Sequence, residues 1–316
     1  MLGGLMGWGG GTEIWVGGVN TWECDEMGHL NVRHWVAKSM EALAGLAAEL
    51  GMPDAFSALA PSTLLVREQH IRFLREAKPG AALSARGGVV DISEDEARLM
   101  LVILHPDGSP AATFQTVVRH ATADGGRVFP WPRRIRAAAE RLQMDVPDFA
   151  APRSIALDPV GTSAASLAAA QAMDLKRIGL GVIGAPDCDA FGRMRTEIVM
   201  GKISDGILHL LGADRGLGEG PGAEAPRIGG AALEYRVVHF AWPRAGDRFE
   251  LRSATAHVEE RFRRLRHWMV DPHTGRPWAS AENVAVGFDL DARKVVRLSP
   301  EAVEALRPTT RPGMEL

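Results

Sequence analysis

With 316 residues, 46% of them hydrophobic, the chain can bury a full core and has the length of one large domain or two ordinary ones. Its formal net charge is -3 with acidic and basic residues interspersed, which argues against a broad basic face and hence against nucleic-acid binding. Two cysteines, Cys24 and Cys188, are too few for a disulfide framework or a spaced-pair zinc cluster, and no metal site is expected. With no basic leader segment and no apolar run long enough to cross a bilayer, the expectation is a soluble, untargeted, cytoplasmic protein with no membrane partner.

After a Gly-rich start, Glu13 to Asn20 is apolar and β-rich enough for a first strand. Glu23-Cys24-Asp25-Glu26-Met27-Gly28-His29-Leu30-Asn31 follows, and then a helix from Val32 to Leu50. Val36, Met40, Leu43, Ala47 and Leu50 recur at spacings of three and four, the period of one helical face, and Gly51 and Pro53 end it. Strands are expected at Leu64 to Arg75, Ala81 to Ile92, Ala97 to Leu104 and Ala111 to Ala121, joined by the turns Lys78-Pro79-Gly80, Glu94-Asp95-Glu96 and Pro106-Asp107-Gly108. The third, being apolar at consecutive positions, should be central with both faces covered.

This pattern occurs twice. A shift of 164 residues lays Cys24-Asp25 on Cys188-Asp189, Gly28 on Gly192, Lys38 on Lys202 and Glu41 on Asp205. A shift of 166 matches Glu68 with Glu234 and Gly80 with Gly246, and one of 167 matches Gly108-Ser109-Pro110 with Gly275-Arg276-Pro277. The second copy is expected at 175–298, with a helix at Thr196 to Leu211 and strands near Ala231 to Ala241, Asp247 to Val258, Arg263 to Val270 and Trp278 to Asp289. The first copy then spans 1–124, a connector with a short helix at Arg133 to Leu142 spans 125–174, and a tail with a helix at Pro300 to Leu306 spans 299–316. The loop Gly212 to Gly230 is long enough to serve as a lid or as an ordinary surface loop. The fold class is α+β.

The pattern Asp-x-x-Gly-His-x-Asn at Asp25 to Asn31, ahead of a long helix and an antiparallel meander, resembles the hotdog-fold acyl-CoA thioesterases of the 4-hydroxybenzoyl-CoA thioesterase-like superfamily. Arg75 to Gly80 is similar to that family's hairpin turn. The resemblance covers each copy in turn and implies two tandem hotdog domains, each a long central helix wrapped by an antiparallel sheet. It also implies an acyl-CoA or acyl-carrier-protein thioester as substrate, no cofactor beyond the coenzyme A of that substrate, and a homodimer of double hotdogs.

By the same resemblance Asp25 acts on the thioester carbonyl as nucleophile or as general base for water. Its bland alternative is a turn or helix cap. Gly28 permits a turn conformation that a side chain would obstruct, and Asn31 is either an N-cap or an orienting group. His29 fits a packing residue better than a proton shuttle. The N–H groups of Val32 and Arg33, at a helix start, are the expected oxyanion donors. Cys24 and Cys188 fit small buried residues rather than nucleophiles, and Glu68 and Glu234 either face the site from the partner copy or, the plainer reading, are surface carboxylates. The second copy has Arg193 where the first has His29 and Arg195 where it has Asn31. These arginines are candidates for coenzyme A phosphate or for a salt bridge to Asp189. One competent site on Asp25 is expected, completed by residues of the second copy. The rivals are a dehydratase or hydratase of the same fold and a non-catalytic acyl-thioester-binding protein.

Overall fold

The computed structural model describes residues 7–159, 164–211, 228–289, 291–292, 294–314 and 316. In the first copy β1 (Thr12–Gly18) leads to the helix α1 (Val32–Glu49), followed by β2 (Ser62–Phe73), β3 (Ala82–Ile92), β4 (Glu96–Leu104) and β5 (Pro110–Thr122). Next come α2 (Arg133–Arg141) and α3 (Leu167–Ala172). The second copy comprises β6 (Lys176–Val182), α4 (Glu197–Leu211), β7 (Ile228–His239), β8 (Arg248–Val258), β9 (Arg263–Val270) and β10 (Pro277–Asp289). A short β11 (Lys294–Val296) pairs with β10, and α5 (Pro300–Leu306) follows. The expected strands and helices are present, with ends displaced by up to three residues. Of the expected loop 212–230, positions 212–227 lie outside the described residues, and Ile228–Gly230 already belongs to β7.

The chain divides into two compact units, Met1–Pro152 with Cys188–Glu197, and Arg153–Asp187 with Ile198–Leu316. The connector is therefore shared between them. The strip Cys188–Glu197, second-copy by sequence, packs as part of the first unit.

In the first unit the antiparallel strands run β1-β3-β4-β5-β2. β4 is central, as its apolar run requires: Met100, Val102 and Leu104 pack on Trp8, Met144, Val146, Phe149 and Ala150. Leu99, Leu101 and Ile103, on the alternate face, are fully buried, and α1 packs on β1, β3 and β4. The buried face of α1 is broader than the predicted stripe. It adds Trp35, Lys38, Ser39, Ala42 and Leu46, while Met40 stays half-buried.

The second unit repeats the plan in the order β7-β10-β9-β8-β6. Here Ala254, Trp268 and Val270 pack on Ala165, Ala170, Leu175 and Met314. The repeat reaches the irregularities. Register shifts step over Ile14 and Ile178, Arg67 and Leu233, and Val90 and Ala256, which are equivalent positions in the two copies. The carbonyl of the first such residue lies against a glycine of each central helix. A Cβ on Gly45 would lie 2.0 Å from the Ile14 oxygen, and one on Gly206 2.3 Å from that of Ile178. Any side chain there would push the helix off the sheet.

Candidate active site

The corner between β1 and α1 is a clipped loop. Asp25 Oδ1 accepts hydrogen bonds from the N–H groups of Met27 at 2.9 Å and His29 at 3.1 Å, and the Asp25 N–H donates to the His29 carbonyl at 2.9 Å. The turn inside the clip needs Gly28, whose φ is 75° and whose N–H donates to the Asp25 carbonyl. Asp25 is half-buried, and its Oδ2 has no hydrogen-bond partner among the described residues. Asp25 is thus a loop clip, with one carboxylate oxygen left uncommitted.

The corner is tied down on both sides. The Leu30 N–H donates to the Ala77 carbonyl and the Asn31 N–H to the Glu23 carbonyl, both at 2.9 Å. His29 Nε2 lies 3.4 Å from Glu76 Oε2, so His29 fastens the corner to the β2–β3 hairpin. Asn31 is the N-cap of α1, its side-chain oxygen accepting from the Arg33 N–H at 2.9 Å, while the His34 and Trp35 N–H groups donate to its carbonyl. Of the two expected oxyanion donors, the Arg33 N–H is therefore occupied. The Val32 N–H is open among the described residues and sits at the positive end of the helix.

Beside the corner lies a charged cluster that the sequence did not single out. Lys38, 4% exposed, donates from Nζ to Glu23 Oε1 at 2.8 Å and to Oε2 at 3.0 Å. Burial pushes the Glu23 carboxyl up, but the bonds from Lys38 and the Asn20 N–H, with the Lys38 and His34 charges, outweigh it and hold Glu23 below the usual carboxylate range. His34 Nδ1 is 4.0 Å from Glu23 Oε1. Burial pulls the imidazole below its usual range, the Glu23 charge opposes this, and the charges of Arg33, Lys38 and Arg195 reinforce it. The signal was available in part. Lys38 had a counterpart in the repeat, and His34 stands one helical turn before it.

The second corner repeats the first in backbone detail. Asp189 Oδ1 accepts from the Phe191 and Arg193 N–H groups, both at 2.9 Å, and Gly192 also has φ 75°. Isolated bridges pair Cys24 with Leu30 and Cys188 with Met194. The side chains differ. Arg193 is 5% exposed, with Nε 3.5 Å from Asp189 Oδ2 and its guanidinium 4.7 Å from the Phe191 ring centroid. The salt bridge to Asp189, one of the two roles expected for it, is present. Arg195 pairs with Glu197 at 3.1 Å and is more exposed.

Other sequence candidates take structural roles. Burial, then the Asp25 and Glu23 charges, push the Cys24 thiol up, which disfavours a nucleophilic thiolate. Glu234 is buried, not a surface carboxylate: it accepts the Arg153 and Ser154 N–H groups at 2.9 and 2.8 Å and so clamps the connector. Glu68 is half-buried.

One constellation was missed altogether. Ser253 Oγ lies 2.7 Å from His267 Nδ1, and His267 Nε2 lies 2.9 Å from Asn283 Oδ1. The geometry is that of a nucleophile, a base and an orienting group. All three are at most 2% exposed, which fits a core network, and their first-copy counterparts are Gly87, Leu101 and Thr116. Among the described residues no cluster of three or more His, Cys, Asp or Glu could hold a metal ion, and no helix is long and apolar enough to cross a membrane.

Solved structures that share this architecture include three named as thioesterases. An acyl-ACP thioesterase from Bacteroides thetaiotaomicron superposes with a TM-score of 0.61 at 12% identity, covering 86% of this chain and 96% of its own. The 12:0-ACP thioesterase from Umbellularia californica gives 0.61 at 10% identity, covering 86% and 93%. A Lactobacillus plantarum protein assigned as an oleoyl thioesterase gives 0.64 at 12% identity, covering 86% and 94%. No curated protein matches the chain in sequence. At such identities the likeness establishes the fold, two tandem hotdogs. The model of the thioesterase-like superfamily matches residues 19–139 and again 183–306, so the chain belongs to the thioesterase-like superfamily.

Proposed function

We propose that this protein hydrolyses an acyl thioester of coenzyme A or acyl carrier protein to the free acid and thiol, at the Asp25–Asn31 corner. The observation that carries this is the half-buried Asp25 carboxylate, with Oδ2 uncommitted, in the same loop that leads to the open Val32 N–H. A carboxylate that acts on the carbonyl directly or through water, beside an N–H at a helix start, is the minimal equipment for acyl transfer. The thioesterase names of the double-hotdog structures support the same chemistry. Arg195, on the strip that packs with the first unit, is the better placed of the two arginines to meet a substrate anion. A homodimer in the cytoplasm, with no cofactor beyond the substrate's own coenzyme A, belongs to the same proposal.

The test is thiol release from acetyl-, hexanoyl-, lauroyl-, palmitoyl- and benzoyl-CoA and from lauroyl-acyl carrier protein, followed with a thiol-reactive chromophore. Turnover of at least one is expected. Hydration of an enoyl-CoA without thiol release would replace hydrolysis with hydratase chemistry, and binding without turnover would make the protein a carrier or sensor.

A further inference from the structure

We propose that His34 is a catalytic residue of this site, taking the proton from the attacking water, with the Lys38-held Glu23 carboxylate as its positioning partner. The inference rests on the hydrolase reading and assigns within it the group that handles the proton.

Three observations carry it. His34 stands in the first turn of α1, two residues beyond the open Val32 N–H and three beyond Asn31. Its Nδ1 faces Glu23 Oε1 at 4.0 Å, while Nε2 has no hydrogen-bond partner among the described residues and the side chain is 30% exposed. At 4.0 Å this is an electrostatic contact and not a hydrogen bond; the hydrogen bond forms as the site closes on substrate. Glu23 is held on one side by Lys38 Nζ and on the other by the Asn20 N–H at 2.8 Å, so the carboxylate is fixed before the imidazole needs it. The second copy supplies the third observation. It keeps the loop clip, the glycine and the lysine but has Ile198, 1% exposed, where the first has His34. The loop clip and its glycine are retained there, and the partly exposed imidazole is not.

The charged groups that bear on His34 are Glu23, Arg33, Lys38 and Arg195. Burial favours the neutral imidazole that a base requires; the Glu23 charge opposes this, and the charges of Arg33, Lys38 and Arg195 reinforce it. In the step, water forms a C–O bond to the thioester carbon while one of its O–H bonds breaks and the proton passes to His34 Nε2. Asp25 Oδ2 accepts a hydrogen bond from the other O–H, which stays intact and ends on the acid, and so aligns the water. Collapse then breaks the C–S bond, and the departing thiolate takes the proton back from the imidazolium, leaving free acid, free thiol and neutral His34.

The experiment is the pH profile of kcat/KM, from pH 4.5 to 8.5, for wild type, His34→Gln and Arg195→Gln with the acyl-CoA of the panel that turns over fastest. The expected result is an acid limb in wild type, a loss of about 10²- to 10³-fold with no such limb in His34→Gln, and a limb moved to higher pH in Arg195→Gln, which removes one of the cations. If His34→Gln does not fold, the shift in Arg195→Gln decides. A His34→Gln enzyme with the wild-type rate and limb, or an unmoved limb in Arg195→Gln, overturns the assignment and leaves the hydrolase standing. No thiol release by wild type from any thioester of the panel overturns the hydrolase and this inference together.

Discussion

The two corners, Asp25–Asn31 and Asp189–Arg195, share a backbone and part company in their side chains. Each has a carboxylate oxygen accepting two N–H groups and a glycine at φ 75°. At three further positions His29, Asn31 and His34 of the first copy correspond to Arg193, Arg195 and Ile198 of the second. Duplication has kept what the loop needs in order to fold and varied what it presents. An aspartate conserved between the copies is therefore explained by the clip alone. What separates the corners is a buried Lys38–Glu23 pair and an imidazole beside it in the first, and an Arg193–Asp189 pair in the second.

The largest expected difference is in stability around the two equivalent lysines. Lys38→Met strands Glu23 in a site where its side chain is only 14% exposed, and should cost about 3 to 5 kcal/mol in urea denaturation. Lys202 sits 5.6 Å from the Phe249 ring centroid, and Lys202→Met should cost less than about 1 kcal/mol. Equal costs would erase the contrast.

The cores differ too: where the first has Leu101 the second has His267, buried and bonded to Ser253 and Asn283. Burial pulls His267 down to about 4 from its ordinary 6.5, although its bond to Asn283 opposes this. Between those values the unfolded chain binds the extra proton, so the stabilisation is complete above 6.5 and is lost as pH falls toward 4. Denaturation across that window should show a loss of about 3 kcal/mol, which His267→Gln should flatten.

Smaller effects test what is shared. Gly28→Ala and Gly192→Ala should each cost about 1 to 2 kcal/mol, because both glycines hold the same left-handed conformation. Unequal values would mean that one loop relaxes. Asn31→Ala, which removes the N-cap, should cost about 1 kcal/mol by thermal denaturation.

Most of the fold was legible because it rests on local signals. The four-residue spacing of α1, the turn glycines and the apolar run of β4 each state an element, and the repeat states the architecture. What stayed hidden depends on tertiary approach. A lysine on a helix is expected in solvent, and only the corner folding back over α1 brings Glu23 to Lys38, fifteen positions on. Glu234 could not be recognised as a clamp, since its partners are backbone groups of a connector without periodicity. The Ser253–His267–Asn283 network joins three strands, and its residues are far apart in sequence. Capping by Asn31 and oxyanion donation draw on the same Arg33 N–H, a competition that only the folded cap makes visible.

The central claim is that chemistry belongs to the Asp25 corner, and Asp25→Asn set against Asp189→Asn tests it most directly. Asparagine keeps an Oδ1 that can accept the two clip bonds, so each loop retains its shape and loses only charge and basicity. Per folded molecule, kcat/KM for acyl-thioester hydrolysis should fall about 10²- to 10³-fold in Asp25→Asn and less than about threefold in Asp189→Asn. Equal losses in the two variants, or an Asp25→Asn enzyme at the wild-type rate, would contradict the account.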